Sequence, residues 1–348
     1  MATDILTMTY DEILSIVTEL GFPAFRAKQL YQWLNKGASF NEMNNLPKAF
    51  KEALSENGYF VDLPRIEKKL VSQIDGTVKL LYSLSDGQFI ESVVMKYEHG
   101  NTICVSCQAG CRMGCKFCAS TLRGLVRSLT PSEIIGQIFM AQKAIGERIS
   151  NIVMMGIGEP LDNYDNVIKF LRTVNREEGL NIGYRHISLS TCGVVDGIKK
   201  LEKEMLPITL SISLHNIDTE GRKSIMPITN KWSVEELLTA CADYFKATGR
   251  RISFEYTLIA NENDSIAQAE GLAKGLKKFL SGMPIHVNLI PLNDVSERSY
   301  KKSTAKNIEA FKNRLNGLGI NATVRRRLGP DINASCGQLR LNAQSDQS

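Results

Sequence analysis

The spacing of apolar positions changes near residue 100. Before that point, residues 10–20 and 25–34 (FRAKQLYQWL) repeat apolar side chains at helical intervals, and a third helical stretch, 47–55, precedes Gly58. Residues 77–84 and 88–96 flank Asp86-Gly87, which predicts two strands joined by a tight turn. From about residue 101, runs rich in β-branched residues occur at 102–107, 151–155, 186–191, 208–214, 251–259 and 285–291. Amphipathic stretches lie between them at 131–145, 164–174, 195–203, 234–247 and 266–280, and a further one, 305–318, leads into 322–326. Strand alternating with helix predicts an α/β fold with a parallel sheet and right-handed crossovers. Six βα units suit a partial barrel, with chemistry at the C-terminal ends of the strands. The expected organisation is a helical unit over residues 1–60, a β-hairpin connector over 61–96, and the barrel with its C-terminal segment over 97–342.

Composition narrows this picture. Over 348 residues the hydrophobic share is 43% and the charged share 23%, ordinary globular values that exclude disordered and collagen-like chains. No apolar run is long enough for a membrane span, and the first residues lack a signal-peptide pattern, so a soluble cytoplasmic protein with no membrane partner is expected. The net charge of +5 is concentrated: between Arg298 and Arg340 stand ten basic residues and two acidic ones. Such a field suits a polyanion, RNA or DNA foremost, although a solvated helix face beside a basic edge strand has the same composition.

Cysteine placement adds candidate chemistry. Five of eight cysteines (Cys104, Cys107, Cys111, Cys115, Cys118) fall within fifteen residues, a density that in a reducing compartment points to metal or redox work. Only Cys111, Cys115 and Cys118, in CRMGCKFC, have the spacing C-x3-C-x2-C. They follow the first predicted barrel strand. Three thiolates on a short loop can hold three irons of a cubic four-iron cluster and leave the fourth iron open. Gly110 and Gly114 let the loop wrap closely. Structural zinc remains the alternative, with Cys104 or Cys107 as a fourth ligand.

CRMGCKFC, with an aromatic before its third cysteine, resembles the signature of radical S-adenosylmethionine (SAM) enzymes. MMGIGEP, one βα unit later, is similar to that superfamily's Gly-Glu-Pro motif. From about residue 20 to residue 342 the chain resembles more narrowly the RlmN/Cfr family of RNA adenine methyltransferases, through FRAKQLYQW, HISLSTCG, ISLH, RKSIMPI, HVNLIPLN and DINASCGQL. The resemblance implies a partial (β/α)6 radical SAM barrel and a [4Fe-4S] cluster on Cys111, Cys115 and Cys118. It also implies SAM, two molecules per turnover, held by Gly158, Glu159, Ser190, Ser213, Leu214, His215 and Asn293.

The resemblance further implies a sequence of steps. SAM's methyl group and adenine C2 are both electrophilic, so direct polar transfer between them is blocked. In the family, the residue matching Cys336 takes a methyl from a first SAM, as a thiolate can. A deoxyadenosyl radical from a second SAM removes a hydrogen from that methyl, and the resulting carbon radical adds to the ring. After the ring proton leaves, with Glu91 the matching acceptor, the residue matching Cys104 attacks the sulfur of Cys336. A disulfide forms and the methylated base is freed. Read only from the residues, Cys336 is a lone thiol, Cys104 a small buried hydrophobe, Glu91 one acid on a solvated strand face, and His215 a core histidine, as are His186 and His286. The implied substrates are adenosine 2503 of 23S rRNA and adenosine 37 of tRNA, at C2. The implied electron donor is a flavodoxin or ferredoxin. Arg26 and Lys28 in the N-terminal helices are candidate phosphate contacts. Two departures from the family stand out: Cys107 replaces a hydroxyl residue, and Cys192 replaces a serine beside Ser190. The runner-up activity is methylation of C8 in the same rRNA nucleotide. From another class, a non-catalytic RNA-binding protein with a structural metal also fits the charge and the cysteines.

Overall fold

The alternating segments build one ten-stranded sheet. In spatial order it runs Asn321–Val324, Ile285–Pro291, Ile252–Leu258, Thr209–Ser213, Ile187–Thr191, Ile149–Met154, Gly100–Cys104, Phe89–Tyr97, Val78–Ser83, Arg65–Val71. The first seven are mutually parallel and the last three antiparallel. This is a computed structural model that describes residues 2–293, 295 and 297–334. The six expected strands are present, and Asn321–Val324 adds a seventh parallel strand at the edge. The expected hairpin extends the same sheet, because Phe89–Tyr97 pairs with Gly100–Cys104. Three elements go beyond the expectation: the exposed strand Arg65–Val71, a short antiparallel pair Gln108–Gly110 with Leu125–Ser128, and the helix Thr219–Ile225. The pair and the helix are too short for periodicity to reveal them, and Arg65–Val71 (RIEKKLV) is mostly charged, without the alternation of a strand.

Helix ends follow local chemistry. Thr130 caps Pro131–Ile145 in a capping box with Glu133, and Ser233 with Glu236 does the same for Val234–Thr248. Both helices stop at a left-handed glycine, Gly146 and Gly249. Apolar stripes of these helices and the inward positions of the strands form one core. The N-terminal helices Tyr10–Glu19, Phe25–Leu34 and Lys48–Glu56 share it through Leu30, Phe50 and Leu54. They are also tied down by polar contacts. Arg176 donates to the carbonyls of Met8 and Thr7, and Lys143 donates to that of Gly37. No helix among the described residues is long and apolar enough to cross a membrane.

Candidate active site

Two adjoining cavities open at the C-terminal ends of the parallel strands. The first, about 220 Å³, is lined by Cys111, Cys115 and Cys118 together with Gly158, Glu159, Ser190, Ser213 and His215. The loop that presents the cysteines folds back at Gly110 (φ 90°), where a Cβ would overlap the carbonyl oxygen of Gly124. Gly114 (φ 72°) takes a second left-handed turn. Burial pushes the Cys111 thiol up to about 12 and raises Cys115 as well, and in each case neighbouring cysteines of the triple add to the rise. Such thiols stay protonated until a metal core stabilises their thiolates. Among the described residues, no three His, Cys, Asp or Glu groups converge as ligands of a single ion. Three thiols on one short loop that line a shared cavity fit the protein-held corners of a cubic cluster.

The opposite wall of this cavity is held by buried polar groups. Gly158 sits at φ 110°, and a Cβ there would lie 2.6 Å from Cβ of Gln108. Only glycine fits that turn. The buried Glu159 carboxylate accepts the N–H groups of Cys192 (2.7 Å) and Leu161 (3.0 Å), while burial raises its pKa. Its two oxygens thereby bind the Gly-Glu-Pro turn to the end of strand Ile187–Thr191. His215 is buried, with φ 56°, and its Nδ1 accepts the N–H of Thr257 at 2.9 Å. Burial, with Arg222 nearby, lowers its pKa to about 3, so the ring is neutral and its proton sits on Nε2. The ring packs edge-on against Phe117 of the cysteine loop, with centroids 4.9 Å apart. The core-histidine reading therefore describes its hydrogen bond, yet His215 also lines the cavity. Leu214 differs: its side chain is fully buried in the core.

The second cavity, about 160 Å³, is lined by Cys104, Val93, Met95, Asn293, Lys302, Arg325, Arg326, Arg327 and the segment up to Ala334. Met155, Ile290 and Arg325 line both cavities. Cys104 ends the first parallel strand and is buried with Val93 and Met95, against which Leu328 and Ala334 pack. Cys336 lies outside the described residues. The chain leading to it is anchored: Gly329 N–H donates to Asp75 (2.9 Å), Ser72 Oγ donates to Asp331 (2.7 Å), and Lys79 donates to the Asn333 carbonyl (3.1 Å).

Glu91 is not on a solvated face. It is 3% exposed and pairs with Lys79 at 3.0 Å. On its strand it shares a face with Val93 and Met95, which line the Cys104 cavity. His186 is also not a core residue: it lies exposed, hydrogen-bonded to Asn151 at 2.9 Å. His286 is half-buried and bonded to Ser253 and Thr323. Cys107 is buried in the core, and burial raises its thiol well above the ordinary value.

Two residues of this site escaped the sequence reasoning. Arg222, 1% exposed, donates to the carbonyls of Cys192 (2.6 Å), Ser213 (3.0 Å) and Leu214 (2.9 Å) and to Thr229 Oγ1 (2.8 Å), locking two strand-end loops together. Its motif RKSIMPI was visible, but its role was not. Glu255 lines the first cavity, buried, accepting from Asn288 at 2.7 Å. Burial raises its pKa while the Arg325 charge lowers it. A single glutamate inside a buried strand was the only signal.

Comparison with known proteins gives two family matches. Residues 105–270 match the Radical SAM superfamily, and residues 3–59 match the Ribosomal RNA large subunit methyltransferase N-terminal domain. A protein of Clostridium novyi described as "Probable dual-specificity RNA methyltransferase RlmN" is 55% identical over 97% of this chain and 98% of its own length. One with the same description from Lachnospira eligens is 50% identical over 99% of this chain and 97% of its own. The crystal structure of a radical SAM methyltransferase from Sphaerobacter thermophilus superposes with a TM-score of 0.90 at 38% identity, covering 97% of this chain and 98% of that one.

Proposed function

Because this chain belongs to the RlmN family of radical SAM methyltransferases, we propose that it methylates C2 of adenosine 2503 in 23S rRNA and C2 of adenosine 37 in tRNA. Membership implies a [4Fe-4S] cluster and SAM, which when bound supply one-electron chemistry that turns a methyl group into a carbon radical. Cys111, Cys115 and Cys118 would hold the cluster. Gly158, Glu159, Ser190, Ser213 and His215 would hold SAM beside it, with the main chain at Leu214 and the side chain of Asn293 completing the set. Two SAM molecules are consumed per turnover, one for the methyl and one for the radical.

The remaining steps fall to Cys336, Glu91 and Cys104, of which Cys104 lines the second cavity. Cys336 carries the methyl as a thioether, Glu91 takes the ring proton, and Cys104 attacks the sulfur of Cys336 to release the base and form a disulfide. An external dithiol reductant resets the pair, and a flavodoxin or ferredoxin supplies electrons to the cluster. The observation that carries this reading is the shared wall between the three-cysteine cavity and the Cys104 cavity, with the chain toward Cys336 entering the latter. Lys302, Arg325, Arg326 and Arg327 lend the cavity the positive charge that an RNA backbone demands. We also propose the division into 1–60, 61–96 and 97–342, with Arg26 and Lys28 of the first unit on RNA phosphates.

The test is one assay. Anaerobic reconstituted protein, reductant, SAM and an rRNA fragment or tRNA are incubated, and the nucleosides are read by mass spectrometry. 2-Methyladenosine is expected. 8-Methyladenosine would overturn the regiochemistry, and colourless zinc-bearing protein with no methylated product would overturn the enzyme reading.

A further inference from the structure

Beside the Cys104 cavity, and sharing Met95, Tyr97 and Arg325 with it, lies a cleft of about 310 Å³ lined also by His99, Arg185 and His186. Tyr97 and His99 flank the hairpin turn at Glu98. Their rings stack, with centroids 5.1 Å apart and planes 13° from parallel. Tyr97 is 39% exposed, and His99, Arg185 and His186 are exposed too. An exposed aromatic pair costs apolar hydration unless something covers it. The polar groups around it carry cationic or hydrogen-bonding ends, and Glu98 is the one acid of the turn.

We infer that this cleft is a nucleotide-binding subsite, which stacks a base of the RNA strand flanking the target adenosine on the Tyr97–His99 pair and holds its phosphate with Arg185 and Arg325. The inference rests on the RNA reading above. Three features carry it. Single-stranded RNA is held by aromatic platforms beside basic side chains. The cleft is continuous with the catalytic cavity through three shared residues. Val93 pairs with Cys104, and Tyr97 lies four residues further along the same strand, about 13 Å away at the usual strand rise. That separation suits a neighbouring nucleotide and is too large for the reacting base itself.

The experiment measures methylation kinetics against rRNA fragment concentration for Tyr97→Ala, Tyr97→Phe and His99→Ala, with iron content and SAM cleavage without RNA recorded in parallel. Tyr97→Ala is expected to raise KM for RNA roughly ten- to hundredfold. Its iron content and RNA-independent SAM cleavage should stay at the wild-type level, and Tyr97→Phe, which keeps the ring, should restore KM. A 2-aminopurine placed one to three nucleotides from the target should be quenched by wild type and not by Tyr97→Ala. Unchanged KM in both alanine variants, or quenching that survives in Tyr97→Ala, overturns the subsite. So does a fall in kcat with KM unmoved. Wild-type protein that makes no methyladenosine would instead overturn the function on which the subsite rests, so the two failures separate.

Discussion

Replacing Lys79 by methionine should destabilise the protein far more than an average substitution, because it breaks a buried ion pair with Glu91. The pair sits on adjacent antiparallel strands at 3.0 Å, with side chains 1% and 2% exposed. Lys79 further donates to the Asn333 carbonyl, so the variant also releases one anchor of the segment that leads to Cys336. Removing one partner of a buried pair costs about 3–5 kcal/mol, since the remaining charge keeps its desolvation penalty and loses the attraction of its counter-charge. Methionine fills nearly the same volume, so packing contributes little. Replacing both members with apolar residues removes the penalty, and Lys79→Met/Glu91→Leu should recover most of the loss. The assay is chemical denaturation of the anaerobic protein followed by circular dichroism, with Glu91→Leu closing the double-mutant cycle. A Lys79→Met loss below about 1 kcal/mol at unchanged m value, with no coupling in the cycle, would refute the reasoning. If Glu91 is the proton acceptor, the double variant should fold well and still methylate slowly, which separates its structural role from its chemical one.

Three further outcomes follow from the same geometry. On the proposed role of Cys104 as the resolving thiol, Cys104→Ala should accumulate a covalent protein–RNA species on denaturing gels, and this species should vanish in Cys104→Ala/Cys336→Ala. Gly158→Ala places a Cβ 2.6 Å from Gln108 Cβ at φ 110°. It should cost 1–3 kcal/mol of backbone strain or more, and it should weaken SAM binding measured by calorimetry while leaving iron content intact. Burial acts to raise the pKa of Asp75, but the N–H groups of Gly329 (2.9 Å) and Thr77 (3.0 Å) outweigh it and hold it at about 2. A carboxyl depressed from 3.8 to about 2 stabilises the fold above the higher value and loses that contribution as pH falls through the lower one. The protection of amides in residues 329–334, taken relative to the intrinsic exchange rate at each pH, should therefore fall between pH 4 and pH 2 in wild type. Asp75→Ala should show that low protection at every pH, and equal protection in the two proteins would reject the tether.

Much of this was legible in the chain itself, for identifiable reasons. Helical and strand periodicities differ, so the alternation after residue 100 could be read as a parallel sheet without coordinates. Cys111, Cys115 and Cys118 lie on one loop, where sequence distance stands in for spatial distance. Capping residues such as Thr130, Ser233 and Gly146 act within a few positions of themselves. Each of these signals is local.

What stayed hidden depends on covering and convergence. Alternation places Glu91 on one face of its strand, but it does not say what lies over that face. The C-terminal segment and Lys79 bury it, through contacts made more than two hundred residues apart in the case of Lys79 with Asn333. Arg222 looks like any helix arginine until four acceptors from three separate segments are seen around it. His186 reads as a core residue because strands usually are buried, yet it stands at the open rim of the sheet. Local chemistry thus determined the elements and the three-cysteine loop. Only the packed sheet decided which charges lose water, which loops are locked together, and which cavities share a wall, because those depend on chain segments brought together from far apart.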